Sequence, residues 1–223
     1  MNISEIKDLL SSEEPQLRLR GLVALKDYDS ETAVPLLIHQ RRDSAFLVRS
    51  FVAMGLGRKR NDTAYSTLLE MLDAETDSNV QSEIANSLGL YGAIATERLV
   101  QLFESNEHWL VQRSILAIMP EMDSPEALLK IALKALRNSD QTISQAGIST
   151  LGLLAGTDQE QAALEALLPM LESDLWRSRL ALAYALKHFQ TNSAKDALAK
   201  LRKDENHKVV AAALEDLLPT EPS

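Results

Sequence analysis

Cysteine is absent from this chain of 223 residues. That excludes disulfides, a thiolate nucleophile, thiolate zinc sites and cysteine-ligated iron–sulfur clusters held by this chain alone. It fits a reducing compartment, and a cytoplasmic location is expected. Basic residues are in deficit, 23 against 32 acidic, for a net charge of −9. A nucleic-acid backbone calls for a basic field, so no nucleic-acid partner is expected. No stretch approaches about 18 uninterrupted apolar residues, so no membrane span is expected. The opening Met1–Asp8 lacks a basic segment followed by an apolar run, and no signal peptide is expected. Aromatic residues are only 4%. Glycine-rich phosphate loops, dinucleotide fingerprints and nucleophile-elbow strings are missing. The histidines, His39, His108, His188 and His207, show no i+3 or i+4 pairing, so no metal site is expected. Glu13-Glu14 lies in a turn, where solvation explains it. No catalytic residue and no cofactor is assigned.

What is present is a repeat. Leu17, Val48, Val80, Val111, Ile143, Ser178 and Val209 open seven similar segments, spaced 31, 32, 31, 32, 35 and 31 residues apart. Eight positions on stand Leu25, Leu56, Leu88, Met119, Leu151, Leu186 and Leu217. Offsets of four and five are mostly small or aliphatic, and these spacings share one face of a 3.6-residue helix. Ser178 is the poor anchor, at the long step, where Leu175 and Trp176 are alternatives for its slot. Each segment is preceded by another apolar helix, such as 66–72 or 163–171. Polar turns such as 76–79, 137–140 and 203–206 supply helix caps. Gly57, Gly92 and Gly156 fall where second helices should end in left-handed residues.

These features predict an all-α fold: a right-handed α-α superhelical solenoid of about seven helix pairs. One such domain is expected over residues 1–218, with a frayed tail at 219–223. A helix pair cannot bury its stripe alone, and each Leu removed from water by stacking contributes about 1.5–3 kcal/mol.

The strings Val48-Arg49-Ser50-Phe51-Val52-Ala53-Met54-Gly55-Leu56-Gly57 and Val80–Gly89 resemble HEAT repeats. Arg179–Leu186 is a third. More narrowly, they resemble the bilin-lyase-like branch found around cyanobacterial phycobilisomes. The resemblance spans nearly the whole chain and rests on a packing motif. It implies an interaction scaffold or adaptor whose partner is a photosynthetic antenna phycobiliprotein or an assembly factor, in a hetero-oligomer. It also implies an alternative, a phycobilin lyase subunit. Some lyase subunits use a Cys-containing motif to isomerise the chromophore, which this chain lacks, and no functional residue is carried over. A third alternative, a DNA-processing HEAT-like enzyme, conflicts with the net charge.

Three sets of residues are candidates. Arg18, Arg49 and Arg179 follow the anchor, with Gln81, Gln112, Ser144 and Val210 at equivalent places. Glu14, Asp43, Asp77, Asn106, Asp140, Asp174 and Asn206 lie a few residues earlier. A structural ladder through Arg18, Arg49, Asp77 and Asp140 is preferred to a ligand-binding one. Phe46, Trp109, Trp176 and His207 stand two residues before the anchor. They either staple onto the first turn of the second helix or form an exposed aromatic edge. His108-Trp109 with Arg113, and Trp176-Arg177 with Arg179, are the preferred partner-binding clusters. Arg41, Arg42 and Arg58 form the third set, as a basic patch or as solvated helix ends.

Overall fold

The computed structural model describes residues 1–215, and every regular element among them is helical. Leu217 and the tail at 219–223 lie outside the described residues. The elements are α1 (Ile3–Leu10), α2 (Pro15–Ala24), α3 (Ser30–His39), α4 (Phe46–Lys59), α5 (Asp62–Ala74), α6 (Ser78–Gly89), α7 (Thr96–Ser105) and α8 (Trp109–Ile118). Then follow α9 (Pro125–Leu136), α10 (Gln141–Gly152), α11 (Glu160–Leu167), α12 (Trp176–Leu186), α13 (Asn192–Leu201) and α14 (His207–Leu214). Short 3₁₀ turns extend or precede several of them. The fold is an α-solenoid of helix pairs, organised in two compact units that divide after Met122.

In the first unit the second helices α2, α4, α6 and α8 pack side by side, each against its own first helix. In the second unit α10, α12 and α14 lie side by side; α10 packs on α9 and α14 on α13, while α12 packs on the 3₁₀ turn Leu168–Glu172 that extends α11. The repeat anchors explain this. Val48, Val80, Val111, Ile143 and Val209 are buried, as are Leu25, Leu56, Leu88, Met119, Leu151 and Leu186 eight positions on. Ser178 is itself buried, whereas Leu175 is exposed and Trp176 opens α12, so neither fills the anchor slot.

Helix starts are set by local chemistry. Asn2, Asp29, Asn61, Asp77, Asp140, Thr191 and Asn206 accept backbone N–H bonds from the first turns of their helices. Pro15 and Pro125 stand in first turns, where the missing N–H costs nothing. Gly92 and Gly156 take left-handed backbone, with φ of 68° and 78°. Gly57 does not. It lies inside α4, and Arg60 is the left-handed residue that closes that helix. A Cβ at Gly57 would meet the Ser87 Cβ at 2.7 Å, so this glycine serves the close approach of α4 and α6.

Candidate functional site

The turn before each second helix carries a regular hydrogen-bond system. Six residues before the ladder position stand Ser12, Asp43, Glu75, Asn106, Asn138, Ser173 and Asp204. Each side chain accepts the N–H two residues on, at 2.8–3.3 Å, folding a tight Asx- or Ser-type turn. Their carbonyls accept from the ladder side chain in five repeats: Arg18, Arg49, Gln81, Gln112 and Arg179. Ser144 is too short and donates to the Leu136 carbonyl instead.

The ladder residue then reaches forward to the next turn. Arg18 Nε and Nη2 donate to Asp43 at 2.6 and 2.8 Å. Arg49 donates to Glu75 at 2.7 and 3.0 Å, and Arg179 to Asp204 at 2.7 and 3.0 Å. Where the ladder residue is Gln81, its amide oxygen accepts from Asn106 at 2.9 Å. The three arginine pairs are two-pronged and nearly buried, which makes them stronger than surface ion pairs. Asp77 and Asp140, expected in the ladder, cap α6 and α10 instead. Glu75 takes the pairing with Arg49, because its place two residues earlier aims its carboxylate at the preceding helix.

Burial alone would push the Asp43 and Glu75 carboxyls up, but hydrogen bonds from Arg18 and Arg49 and from backbone N–H groups hold both below their ordinary values. Arg179 holds Asp204 down in the same way. A carboxyl depressed in the folded state adds stability above its unfolded pKa of about 4, lost as pH falls through the folded value. Glu83, raised by burial, works in the opposite sense. With three depressed ladder carboxyls against it, thermal midpoints should fall between about pH 5 and pH 3. Asp204→Asn should flatten that acid limb, and an unchanged slope in a pH series of melts would contradict the assignment.

The aromatic positions are the first residues of α4, α8, α12 and α14 rather than residues preceding them. Phe46 and Trp109 are 47% and 46% exposed, and His207 is exposed. The side chain of His108 caps α8 and stacks on Trp109 with centroids 6.1 Å apart, and Arg113 is exposed one turn on. Trp176 is half-buried, with Arg177 4.6 Å and Lys208 5.3 Å from its ring centroid. Arg179 does not join that cluster, because the ladder turns it inward. Arg41 and Arg42 lie just before α4 and Arg58 near its far end, about 20 Å away at 1.5 Å per residue, so these cations form no single patch.

Depressions lie on the second helices of each unit. In the second unit, α10 and α12 form an open groove of about 410 Å³. Ala146, Ser149 and Ala181 make a small-residue floor, with Trp176, Arg177 and Tyr184 as walls. Lys187 sits 4.7 Å from the Tyr184 ring centroid. Tyr184 and Leu153 are 46% and 49% exposed. Sequence reading missed Tyr184 and the alanine floor: the equivalent offsets hold unrelated residues in other repeats, so no periodic signal marks them. The first unit has a smaller apolar pocket at the C-terminal ends of α2 and α4. Among the described residues no group of His, Asp and Glu is arranged to hold a metal ion, and no helix is long and apolar enough to cross a membrane.

Residues 3–93 match the family model for HEAT repeats. No curated protein matches the chain in sequence. Among solved structures, the chain is similar to one from the complex of CpcE and CpcF of phycocyanin lyase from Nostoc sp. PCC7120. Identity is 19%, coverage 98% of this chain and 95% of that one, and the TM-score 0.55. It is also similar to the YibA protein of Escherichia coli, at 13% identity, covering 97% of this chain and 92% of that one with a TM-score of 0.63. Likeness at this identity speaks for fold. Residues 3–93 of this chain carry HEAT repeats, within a helix-pair solenoid fold.

Proposed function

We propose that the protein is a non-enzymatic HEAT-repeat adaptor that grips another protein in the groove between α10 and α12. The observation that carries this is the groove's make-up. An alanine and serine floor admits a close-lying helix or loop. Tyr184 and Trp176 offer large contact area at small entropic cost. Arg177 and Lys208 line the Trp176 ring with positive charge, while Lys187 beside Tyr184 is paired with Glu215, so the Trp176 end of the surface suits an acidic segment. The partner is a phycobiliprotein of a photosynthetic antenna, or a protein of its assembly, met in the cytoplasm. The resemblance of the repeat strings supports this choice, as does the fold shared with a chain of the phycocyanin lyase complex.

Immobilised protein titrated with purified phycocyanin is the direct test. Saturable binding is expected, weakened at least ~10-fold by Trp176→Ala with Tyr184→Ala. Absence of binding, or binding indifferent to both substitutions, sinks the proposal.

A second function, a phycobilin lyase subunit, is favoured by the likeness to the CpcE and CpcF complex. It requires the protein to perturb the absorption band of a free bilin. A spectrum unchanged on mixing, with and without a candidate second subunit, removes it.

A further inference from the structure

We infer that the pocket at the C-terminal ends of α2 and α4 is a docking site for an acidic peptide segment that inserts one bulky apolar side chain. The pocket holds about 160 Å³ and is lined by Leu22, Val23, Leu37, Phe51, Met54 and Gly55. That is below the roughly 300–1,000 Å³ of small-molecule sites and suits a single side chain. A Cβ at Gly55 would lie 2.7 Å from Leu37 Cδ2, so glycine is what leaves Leu37 room at the pocket floor. Val23 is 46% exposed, an apolar residue facing water beside the cavity.

The rim is cationic by register. On α2 and its 3₁₀ extension, Arg20, Val23 and Lys26 recur every third residue and share a face. On α4, Phe51, Met54 and Arg58 do the same at spacings of three and four. Lys26 and Arg58 line the pocket itself, so its apolar centre is flanked by two exposed cations, with Arg20 further back along α2. Arg20, Lys26 and Arg58 are exposed, and among the described residues their side chains make no hydrogen bond or ion pair. Glu83 on α6 acts on Arg58 only at a distance, and Asp27 is the carboxylate next in sequence to Lys26. Lys59 lines the pocket but is committed to the carbonyls of Lys26 and Tyr28. In a chain of net charge −9, a face that sets the Lys26 and Arg58 cations beside an apolar hole is complementary to an acidic segment with one apolar anchor.

The probe is a short fluorescein-labelled peptide of Glu and Ser around one central Phe, followed by fluorescence anisotropy with the full chain. Saturable binding is expected. It should weaken ~10-fold or more when the Phe is replaced by Ala, when Glu is replaced by Gln, or when the protein carries Lys26→Glu with Arg58→Glu. Added salt should weaken it as well. Both substituted sites are exposed, and an unaltered melt shows that the variant is folded. Binding that ignores the charge reversals, or no saturable binding, overturns the proposal. Displacement of a hydrophobic dye by laurate without peptide binding assigns the pocket to a fatty carboxylate and also overturns it. Tyr184→Ala, which tests the groove of the second unit, should leave the peptide isotherm unchanged, and a loss there counts against this site.

Discussion

Arg179→Met should lower the unfolding free energy by about 3–5 kcal/mol. The guanidinium and the Asp204 carboxylate are each less than a tenth exposed. Removing the arginine leaves a carboxylate facing the turn with only the Asn206 N–H still bonded to it. The Ser173 carbonyl loses its donor at the same time. Adding Asp204→Asn should recover most of the loss. It removes the uncompensated charge and keeps an oxygen for the Asn206 N–H. Urea denaturation of the single and double variants measures both quantities. A loss below about 1 kcal/mol would class the pair with ordinary surface salt bridges.

Gly147→Val is the second large expected effect, a destabilisation of about 3 kcal/mol. Glycine inside a helix ordinarily costs about 1 kcal/mol relative to alanine, so a substitution there would help if space allowed. It does not. A Cβ at Gly147 would lie 2.7 Å from the Leu136 amide nitrogen and 3.0 Å from the Ala132 carbonyl oxygen. These are backbone atoms of α9, which cannot rotate away, so the pair must separate. Gly147→Ala should destabilise less, and calorimetric melting ranks the two. A midpoint raised by alanine would mean that α9 yields freely.

The helix pairs were legible because their chemistry is local and periodic. Val48, Val80 and Val111, with Leu56, Leu88 and Met119 eight positions on, report one buried face without reference to any other helix. Asp77 and Asp140 were misassigned for the same reason. Capping and ladder acids sit two residues apart in similar polar turns, and only the path to the neighbouring helix separates them. The offset of six that places Asp43 before Arg49 and Asn106 before Gln112 would have put Glu75, in place of Asp77, before Gln81. Gly57 looked like a helix end because Leu-Gly strings often are, and its real constraint comes from Ser87, thirty residues on. The candidate surfaces were less legible still. Val23, Met54 and Tyr184 are unremarkable singly, and they gain meaning when adjacent second helices place them side by side.

The ladder makes the order of the repeats chemically directional. Arg18 and Arg49 are answered by carboxylates in the following turns, and Gln81 by the amide of Asn106. Excising α5 and α6 as one repeat would keep every remaining helix pair whole but set the Arg49 cation against Asn106, an amide with no charge to return. Repeats of this chain are therefore not interchangeable beads. Arg18, Arg49, Gln81 and Arg179 each carry in a second helix the address of its successor, and a shuffled or shortened array must rewrite such a residue wherever its junction changes.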